Sequence, residues 1–413
     1  MGNIDFRQGV YALSRALDLV GVDDVGHGNR VGIMAAECGK VMGLDDEAVH
    51  FLFDLGLLHD IGVSSTIMHQ HLVEEFDWAG SQAHAIVGHD LLKDFRPLAA
   101  MAQPILYHHT RWDRMLEMDI DPEVRRQANL ILLVDRADVM AAPYYTGGKV
   151  LGHRKAIWQA IETRSGSYFD PELVAAFLTA SEHEAFWLNL EPVALGNYLD
   201  DMLAAAPSIP ASRAEMLQLA RIFSDIVDAK SRFTVSHSKG VAHVARRLGE
   251  RVGLPAERCD ELEIAGLLHD LGKLRVRDEI LNKPGPLDDD ERMAMNTHSF
   301  ETLRILRRIP GFESIALWAG DHHEAPGGKG YPFGHDGANL PLESRILRVA
   351  DIFQAIVQDR PYRAGMTPAA VVEFMTEQRD RGMIDAELAD LLLANLDEML
   401  ACARPQTSET APA

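Results

Sequence analysis

Two copies of one motif constrain this 413-residue chain more than any other feature. Gly56–Gly62 reads GLLHDIG, and Gly266–Gly272 reads GLLHDLG. In both copies a histidine precedes the His-Asp pair by 32 residues, and a later histidine precedes a pair of histidines by 24 residues. The matched positions are His27, His59, Asp60, His84, His108, His109 and Asp138 in the first copy, and His237, His269, Asp270, His298, His322, His323 and Asp351 in the second. This ordered recurrence predicts a tandem duplication.

The periodicity within each copy is helical. Ala214–Ala229 repeats apolar residues at intervals of three and four, and Asp260–Leu268 has the same character just before His269. No alternating run of β-branched residues predicts a central sheet. Ala204–Ser212 is rich in small residues and contains two prolines, which is typical of a linker. We therefore predict an all-α protein with a first domain at 1–205, a second domain at 210–403 and a disordered tail at 404–413.

Charge and hydropathy exclude several kinds of partner. The net charge of −22 argues against duplex nucleic acid or an anionic membrane as a ligand. No apolar run reaches the roughly 18 residues needed to cross a bilayer, and no signal peptide is recognisable, so we expect a cytoplasmic protein. Residues 207–413 hold 25 basic against 32 acidic residues, whereas residues 1–206 hold 15 against 30. An anionic ligand is therefore expected in the second half.

The matched histidines and aspartates predict metal binding. Imidazole and carboxylate donors without thiolate suit iron, manganese, zinc or nickel. Seven donors per copy exceed the needs of one ion, so two divalent ions are the natural number, and Asp270 is well placed to bridge them. Two such ions activate water and neutralise phosphoryl charge during in-line displacement.

The second copy contains six short motifs in order: HDLGK at 269–273, KPG at 283–285, HHE at 322–324, GYP at 330–332, VAD at 349–351 and RPYR at 360–363. Through these motifs it resembles an HD-GYP domain, the bacterial subgroup of HD-superfamily phosphohydrolases that hydrolyse cyclic di-GMP. The resemblance implies an all-helical fold, a di- or trinuclear iron or manganese centre, and cleavage of a 3′–5′ phosphodiester. Gly327 departs from the family, which has an aspartate there, and Phe233 replaces a glutamate of three-metal members, so a third ion is not expected.

The resemblance implies a role for each site residue of the second copy. The seven matched residues would be metal ligands, with Asp270 as the bridge and a catalytic residue. Lys273 would be the other catalytic residue, because a compact cation at the scissile phosphate stabilises the charge of the transition state. The residues implied to bind the substrate are Arg360, Arg363, Gly330, Tyr331 and Pro332.

The first copy keeps all seven matched residues but loses other parts of the motif. Val63 occupies the position of Lys273, and Thr110–Asp113 replaces the GYP segment. Asp23 lies four residues before His27 and could join a metal cluster. The first copy thus resembles a generic HD domain. We expect a regulatory or degenerate domain with a possible second metal site at its seven matched residues.

The leading hypothesis is a metal-dependent phosphodiesterase that converts cyclic di-GMP to pGpG or GMP in bacterial second-messenger signalling. The Gly327 departure leaves room for another cyclic dinucleotide, such as cyclic GMP-AMP. Two alternatives of other classes are a non-catalytic nucleotide-binding signalling module and a di-iron HD oxygenase; the first copy, which lacks the lysine, is the candidate for each. The expected partner is a cyclic dinucleotide, and a homo-oligomer or a signalling protein partner stays open.

Overall fold

Helices make up the regular structure, and the predicted all-α class is confirmed. The computed structural model describes residues 4–21, 26–74, 78, 80–231, 236–337, 339–359 and 364–404. These residues form no strand beyond two isolated β-bridges. No helix among them is long and apolar enough to span a membrane. The predicted substrate-binding residues Arg360 and Arg363 lie outside the described residues, as do Asp23, Phe233 and 405–413 of the predicted tail.

The chain divides into two units near the predicted linker. One unit is Ser14–Ile209, and the other combines Met1–Leu13 with Pro210–Ala413. The predicted domain 1–205 included the first residues, which the structure pairs with the later unit. Asp5 forms a β-bridge with Pro210, and the Ala211 N–H donates to the Ile4 carbonyl at 2.8 Å. Backbone pairing thus ties the start of the chain to the second copy.

Twelve α-helices begin before residue 210 in the described part of the chain, and ten begin after it. The earlier helices are α1 (Phe6–Leu17), α2 (His27–Val41), α3 (Asp46–Leu58), α4 (Thr66–Glu74), α5 (Ser81–Leu92), α6 (Ala99–Tyr107), α7 (Trp112–Met115), α8 (Pro122–Ala141), α9 (Arg154–Glu162), α10 (Pro171–Ala180), α11 (Glu184–Leu188) and α12 (Pro192–Ala205). The later helices are α13 (Arg213–Lys230), α14 (His237–Arg251), α15 (Ala256–Leu268), α16 (Asp278–Leu281), α17 (Asp289–Leu306), α18 (Glu313–Gly320), α19 (Leu342–Val357), α20 (Pro368–Asp380), α21 (Ala386–Ala394) and α22 (Leu396–Ala403). Short 3-10 helices lie at Asp18–Gly21, Ala142–Tyr144, Lys149–Gly152 and Leu271–Arg275.

In each unit the His-Asp pair lies on the turn that ends a buried helix. These helices are α3 and α15, whose last turns are buried. The final glycine of the motif has a steric reason. A Cβ at Gly62 would lie 2.0 Å from the carbonyl oxygen of His84, and a Cβ at Gly272 would lie 2.1 Å from that of His298. Glycine therefore lets the turn approach the helix that carries the next histidine.

Candidate metal centres and active site

Five segments of the second unit bring the seven predicted ligands together. His237 begins α14, His269 and Asp270 follow α15, His298 lies in α17, His322 and His323 follow α18, and Asp351 lies in α19. Their donor atoms form overlapping groups within which all atoms lie within 4.8 Å of one another: His237, His269 and Asp351; His269, Asp270 and His322; His298, His322 and His323. Residues far apart in sequence thus converge on one buried centre.

Asp270 lies between two subsets of histidines. Its Oδ2 is 3.3 Å from His269 Nε2 and 3.9 Å from His237 Nε2. Its Oδ1 is 3.4 Å from His298 Nε2 and 3.9 Å from His322 Nε2. One carboxylate with an oxygen directed to each subset has the arrangement needed to bridge two ions.

Backbone hydrogen bonds orient the histidine rings toward this centre. The Nδ1 atoms of His269, His298 and His322 lie 2.6–2.7 Å from the carbonyl oxygens three residues earlier. Because a carbonyl only accepts, each Nδ1 carries a proton, and each Nε2 is the ring nitrogen that faces the centre. The Nε2 atoms of His298 and His322 then face each other at 3.2 Å. At this distance the two nitrogens either share a proton or bind a common cation.

A second observation indicates that the donor set is suited to metal ions. His269 Nε2 and Asp270 Oδ1 are buried atoms without a hydrogen-bond partner, and such atoms are costly unless a ligand satisfies them. Burial alone would raise the pKa of Asp270, but His269 and Lys273 hold it well below its usual range. Burial lowers the pKa of His298 to about 4. An ionised carboxylate and a neutral imidazole are the forms that bind metals.

Lys273 and the GYP segment lie beside the second centre. Lys273 Nζ is 2.5 Å from Asp270 Oδ2, within the 3-10 helix that follows the His-Asp pair. The Tyr331 ring stacks on the ring of His323 at a centroid distance of 4.7 Å. A Cβ at Gly330 would lie 2.4 Å from Glu324 Cα, so glycine permits this close fold of the loop. The predicted Lys273, Gly330 and Tyr331 thus come together at the centre, with Pro332 next in the loop.

Glu324 supports this loop, a role that the sequence did not predict. Its Oε1 accepts hydrogen bonds from the N–H groups of Phe333 at 2.6 Å and Gly334 at 3.1 Å. The residue is 1% exposed. Its position in the HHE motif, directly after two ligands, was the available signal. A carboxylate that binds the loop backbone fixes Tyr331 relative to the histidines.

The first unit repeats the arrangement of donors. Asp60 Oδ2 is 3.5 Å from His59 Nε2 and 4.0 Å from His27 Nε2. Asp60 Oδ1 is 3.1 Å from His84 Nε2 and 3.8 Å from His108 Nε2. His109 joins the group, with Nε2 3.1 Å from that of His84. His59 Nε2 and Asp60 Oδ1 again lack hydrogen-bond partners, so this donor set also fits metal ions.

Asp135, rather than the predicted Asp138, completes the first centre. Asp135 Oδ1 is 3.4 Å from His27 Nε2 and forms a group with His27 and His59. Asp138 lies on the opposite side of the ring, where its Oδ2 is 2.7 Å from His27 Nδ1. Arg30 Nε and Tyr145 Oη both donate to Asp138 Oδ1 at 2.8 Å. Asp138 therefore holds the His27 ring in place, and the ligand position is corrected to Asp135.

Little space adjoins the first centre. A cavity of about 20 Å³ borders His27, His59 and Asp60. Leu17 and Val63 line it together with the polar side chains of Asp18 and His69. This volume holds about one water molecule. The cavity itself, among the described residues, is too small for a dinucleotide.

Comparisons with known proteins agree with the tandem duplication. HD domain family models match residues 25–142 and residues 221–388, one in each copy. The chain is 36% identical over 401 residues to 3′3′-cGAMP-specific phosphodiesterase 1 of Vibrio cholerae, covering 95% of this chain and 92% of that protein. It is 33% identical over 217 residues to a cyclic di-GMP phosphodiesterase response regulator of Xanthomonas campestris, covering 51% of this chain and 56% of that protein.

A solved structure is similar over nearly the whole chain. It is the crystal structure of a cyclic GMP-AMP-specific phosphodiesterase of V. cholerae, V-cGAP3, with a TM-score of 0.66 and 26% sequence identity. The match covers 96% of this chain and 98% of that one. The resemblance expected from the motifs is confirmed. The chain belongs to the HD-domain family, in its HD-GYP group of cyclic-dinucleotide phosphodiesterases.

Proposed function

We propose that the protein hydrolyses 3′3′-cyclic GMP-AMP at the second centre. One observation carries this proposal: a complete donor set with Lys273 bonded to Asp270, in a chain that matches a 3′3′-cGAMP-specific phosphodiesterase over 95% of its length. From the sequence alone, cyclic di-GMP was the first candidate and cyclic GMP-AMP the second. The relatives reverse that order, since the cyclic di-GMP phosphodiesterase of X. campestris matches 51% of the chain. Cyclic di-GMP is retained as the second substrate.

The chain's own residues position the reaction. His269, His298 and His322 direct Nε2 to the centre and, in their neutral form, would hold the ions together with Asp270. Two divalent ions, when bound, supply activation of the attacking water and offset the charge on the phosphoryl oxygens. Lys273 places a compact cation next to Asp270, where it stabilises the negative charge that develops on the scissile phosphate. Water adds to phosphorus as the bond to O3′ breaks, which yields a linear dinucleotide with a terminal phosphate.

The substrate and the site are tested together. Full-length protein loaded with manganese or iron is assayed for kcat/KM on cyclic GMP-AMP, cyclic di-GMP and cyclic di-AMP. Asp270→Asn is the test variant, and Asp60→Asn in the first copy is its matched control. We expect cyclic GMP-AMP to have the highest kcat/KM, with turnover lost in Asp270→Asn and kept in Asp60→Asn. Equal turnover in wild type and Asp270→Asn would contradict the assignment of the site.

We further propose that the first copy is a metal-holding domain without hydrolytic activity. Its donors repeat the geometry around Asp60, whereas Val63 replaces the lysine and the adjoining cavity holds about one water. Metal analysis after dialysis tests this: Asp60→Asn and Asp270→Asn should each lose part of the bound metal, and the double variant should lose nearly all. A wild-type metal content in Asp60→Asn would refute metal binding by the first copy.

A further inference from the structure

Arg348 is a buried cation beside the second centre. It is neither a candidate metal ligand nor one of the residues that bind the GYP loop. It lies in α19 one turn before Asp351, so both side chains lie on nearly the same helix face. Arg348 is 7% exposed. Its Nε donates to the carbonyl of Met383 at 2.5 Å, and this is its only hydrogen bond within the described residues. The backbone of the turn between α20 and α21 therefore anchors the guanidinium at one nitrogen.

The two terminal nitrogens of Arg348 have no acceptor in the described part of the protein. Neither nitrogen is fully buried, so both keep some exposure to solvent. No carboxylate of a described residue lies within 4.0 Å of them. Burial lowers the pKa of Arg348, and the charges that oppose this effect belong to Asp351, Tyr331 and Glu324. These neighbours are a candidate ligand, the GYP tyrosine and the loop-binding glutamate.

A buried guanidinium with two unoccupied donors is suited to an anion. Removing an unpaired charge from water is costly, and an arriving anion offsets that cost. The planar fork of arginine matches two oxygens of one phosphate group. The guanine edge also accepts two hydrogen bonds from arginine, but it is neutral and would leave the charge without compensation. The chemistry therefore favours phosphate over base.

A cyclic dinucleotide carries two phosphodiesters, of which each turnover cleaves one. Lys273, bonded to Asp270, already serves the position of the scissile phosphate. We propose that Arg348 binds the other phosphate of the substrate through its two terminal nitrogens. This inference rests on the proposed phosphodiesterase function and adds a residue that selects a substrate with two phosphates. In the first copy Leu132 stands three residues before Asp135, so that copy has no equivalent cation at this place.

The experiment compares substrates with two phosphates and with one. Arg348→Met and Arg348→Lys are made in the full chain, loaded with manganese, and assayed on cyclic GMP-AMP, cyclic di-GMP, cyclic di-AMP and bis(p-nitrophenyl) phosphate. Arg345→Met is the matched control, because Arg345 lies on the same helix and pairs with Asp385 instead. We expect Arg348→Met to raise KM about 10- to 100-fold on every cyclic dinucleotide, with kcat changed by less than about threefold. Arg348→Lys should give an intermediate KM.

The single-diester substrate separates the possible outcomes. Hydrolysis of bis(p-nitrophenyl) phosphate should be unchanged in Arg348→Met, which also shows that the variant is folded and its centre is intact. An unchanged KM for cyclic dinucleotides would overturn the inference, as would a loss confined to guanine-containing substrates. An equal loss on bis(p-nitrophenyl) phosphate would place Arg348 at the reacting phosphorus and overturn it too. Failure of the wild type to cleave any cyclic dinucleotide would instead contradict the proposed function.

Discussion

His27 and His237 begin equivalent helices in the two copies, yet different residues lie behind them. In the first copy Asp138 binds His27 Nδ1 and accepts from Arg30 and Tyr145. Gly240 stands at the position of Arg30 in the second copy. The Gln354 side chain packs so closely there that a Cβ on Gly240 would lie 2.3 Å from it.

This difference shows that the ligands and their supports diverged separately. The bridging aspartate keeps the same pattern of distances in both copies, whereas the arginine and aspartate of the first copy are replaced together by glycine and glutamine. An ion pair was exchanged as a unit, as expected when either charge alone would be buried without a partner. In the first copy, the charged pair of Arg30 and Asp138 thus lies behind the candidate ligand His27. In the second copy, Gly240 and Gln354 carry no charge at the matching positions, and Lys273 lies beside Asp270.

The largest expected effect concerns that ion pair. Arg30→Met leaves the Asp138 carboxylate buried without its guanidinium, so we expect it to lower the free energy of unfolding by about 3–5 kcal/mol. Gln354→Ala in the second copy removes a hydrogen bond to the Ala403 carbonyl and should cost about 1 kcal/mol. Urea denaturation followed by circular dichroism measures both variants. Equal losses would show that the two supports contribute alike, contrary to the comparison.

The next effect concerns the residue that follows the motif glycine. Lys273→Met should lower kcat for cyclic GMP-AMP about 10²–10³-fold, because the cation beside Asp270 is lost where charge develops. The reciprocal Val63→Lys should not create activity in the first copy, since the cavity there holds about one water. Steady-state assays on each variant and on the double variant measure this. Hydrolysis restored in the double variant would mean that the first copy is a latent phosphodiesterase, limited only by its missing lysine.

A smaller effect separates ligand from support in the first copy. In an Asp270→Asn background, which leaves the first centre as the main metal site, Asp135→Asn should release metal on dialysis. Asp138→Asn keeps all the donors and should weaken metal affinity only about 10–100-fold, because it perturbs the ring that His27 presents. Competition with a chelator gives both affinities. A greater loss in Asp138→Asn than in Asp135→Asn would return the ligand role to Asp138.

The sequence predicted the fold class and most of the second centre, because fixed spacings between histidines can be recognised without knowing how the helices pack. The choice between Asp135 and Asp138 could not be made in this way. Both belong to one helix, and residues three apart lie close on a helix face. Which of them meets Nε2 of His27 and which meets Nδ1 depends on how α8 packs against α2. The position of an aspartate in a sequence motif does not reveal how the two helices pack.

Arg348 illustrates the same limit in the second copy. It is one charged residue in a helix, and the sequence alone does not distinguish it from a surface residue. Its burial, with one nitrogen on the Met383 carbonyl, depends on a contact between residues 35 positions apart. The spacing of Lys273 after Asp270 is local, which is why that residue could be predicted. A long-range contact therefore explains why Arg348 was missed, whereas Glu324 is fixed by backbone groups of its own loop.

The smallest effect concerns the helices that carry the third histidine of each copy. α17 begins with a capping box, in which Asp288 accepts from the Glu291 N–H at 2.9 Å, whereas α5 begins at Gly80 without a side-chain cap. Asp288→Ala should lower the free energy of unfolding by about 1 kcal/mol and Tm by about 2–4 °C. Ser81→Ala in α5 removes no cap and is the matched control. Calorimetry measures both, and kcat should not change because His298 lies ten residues beyond the cap. An equal change in Tm for the two variants would mean that the cap does not stabilise α17 more than the uncapped start stabilises α5.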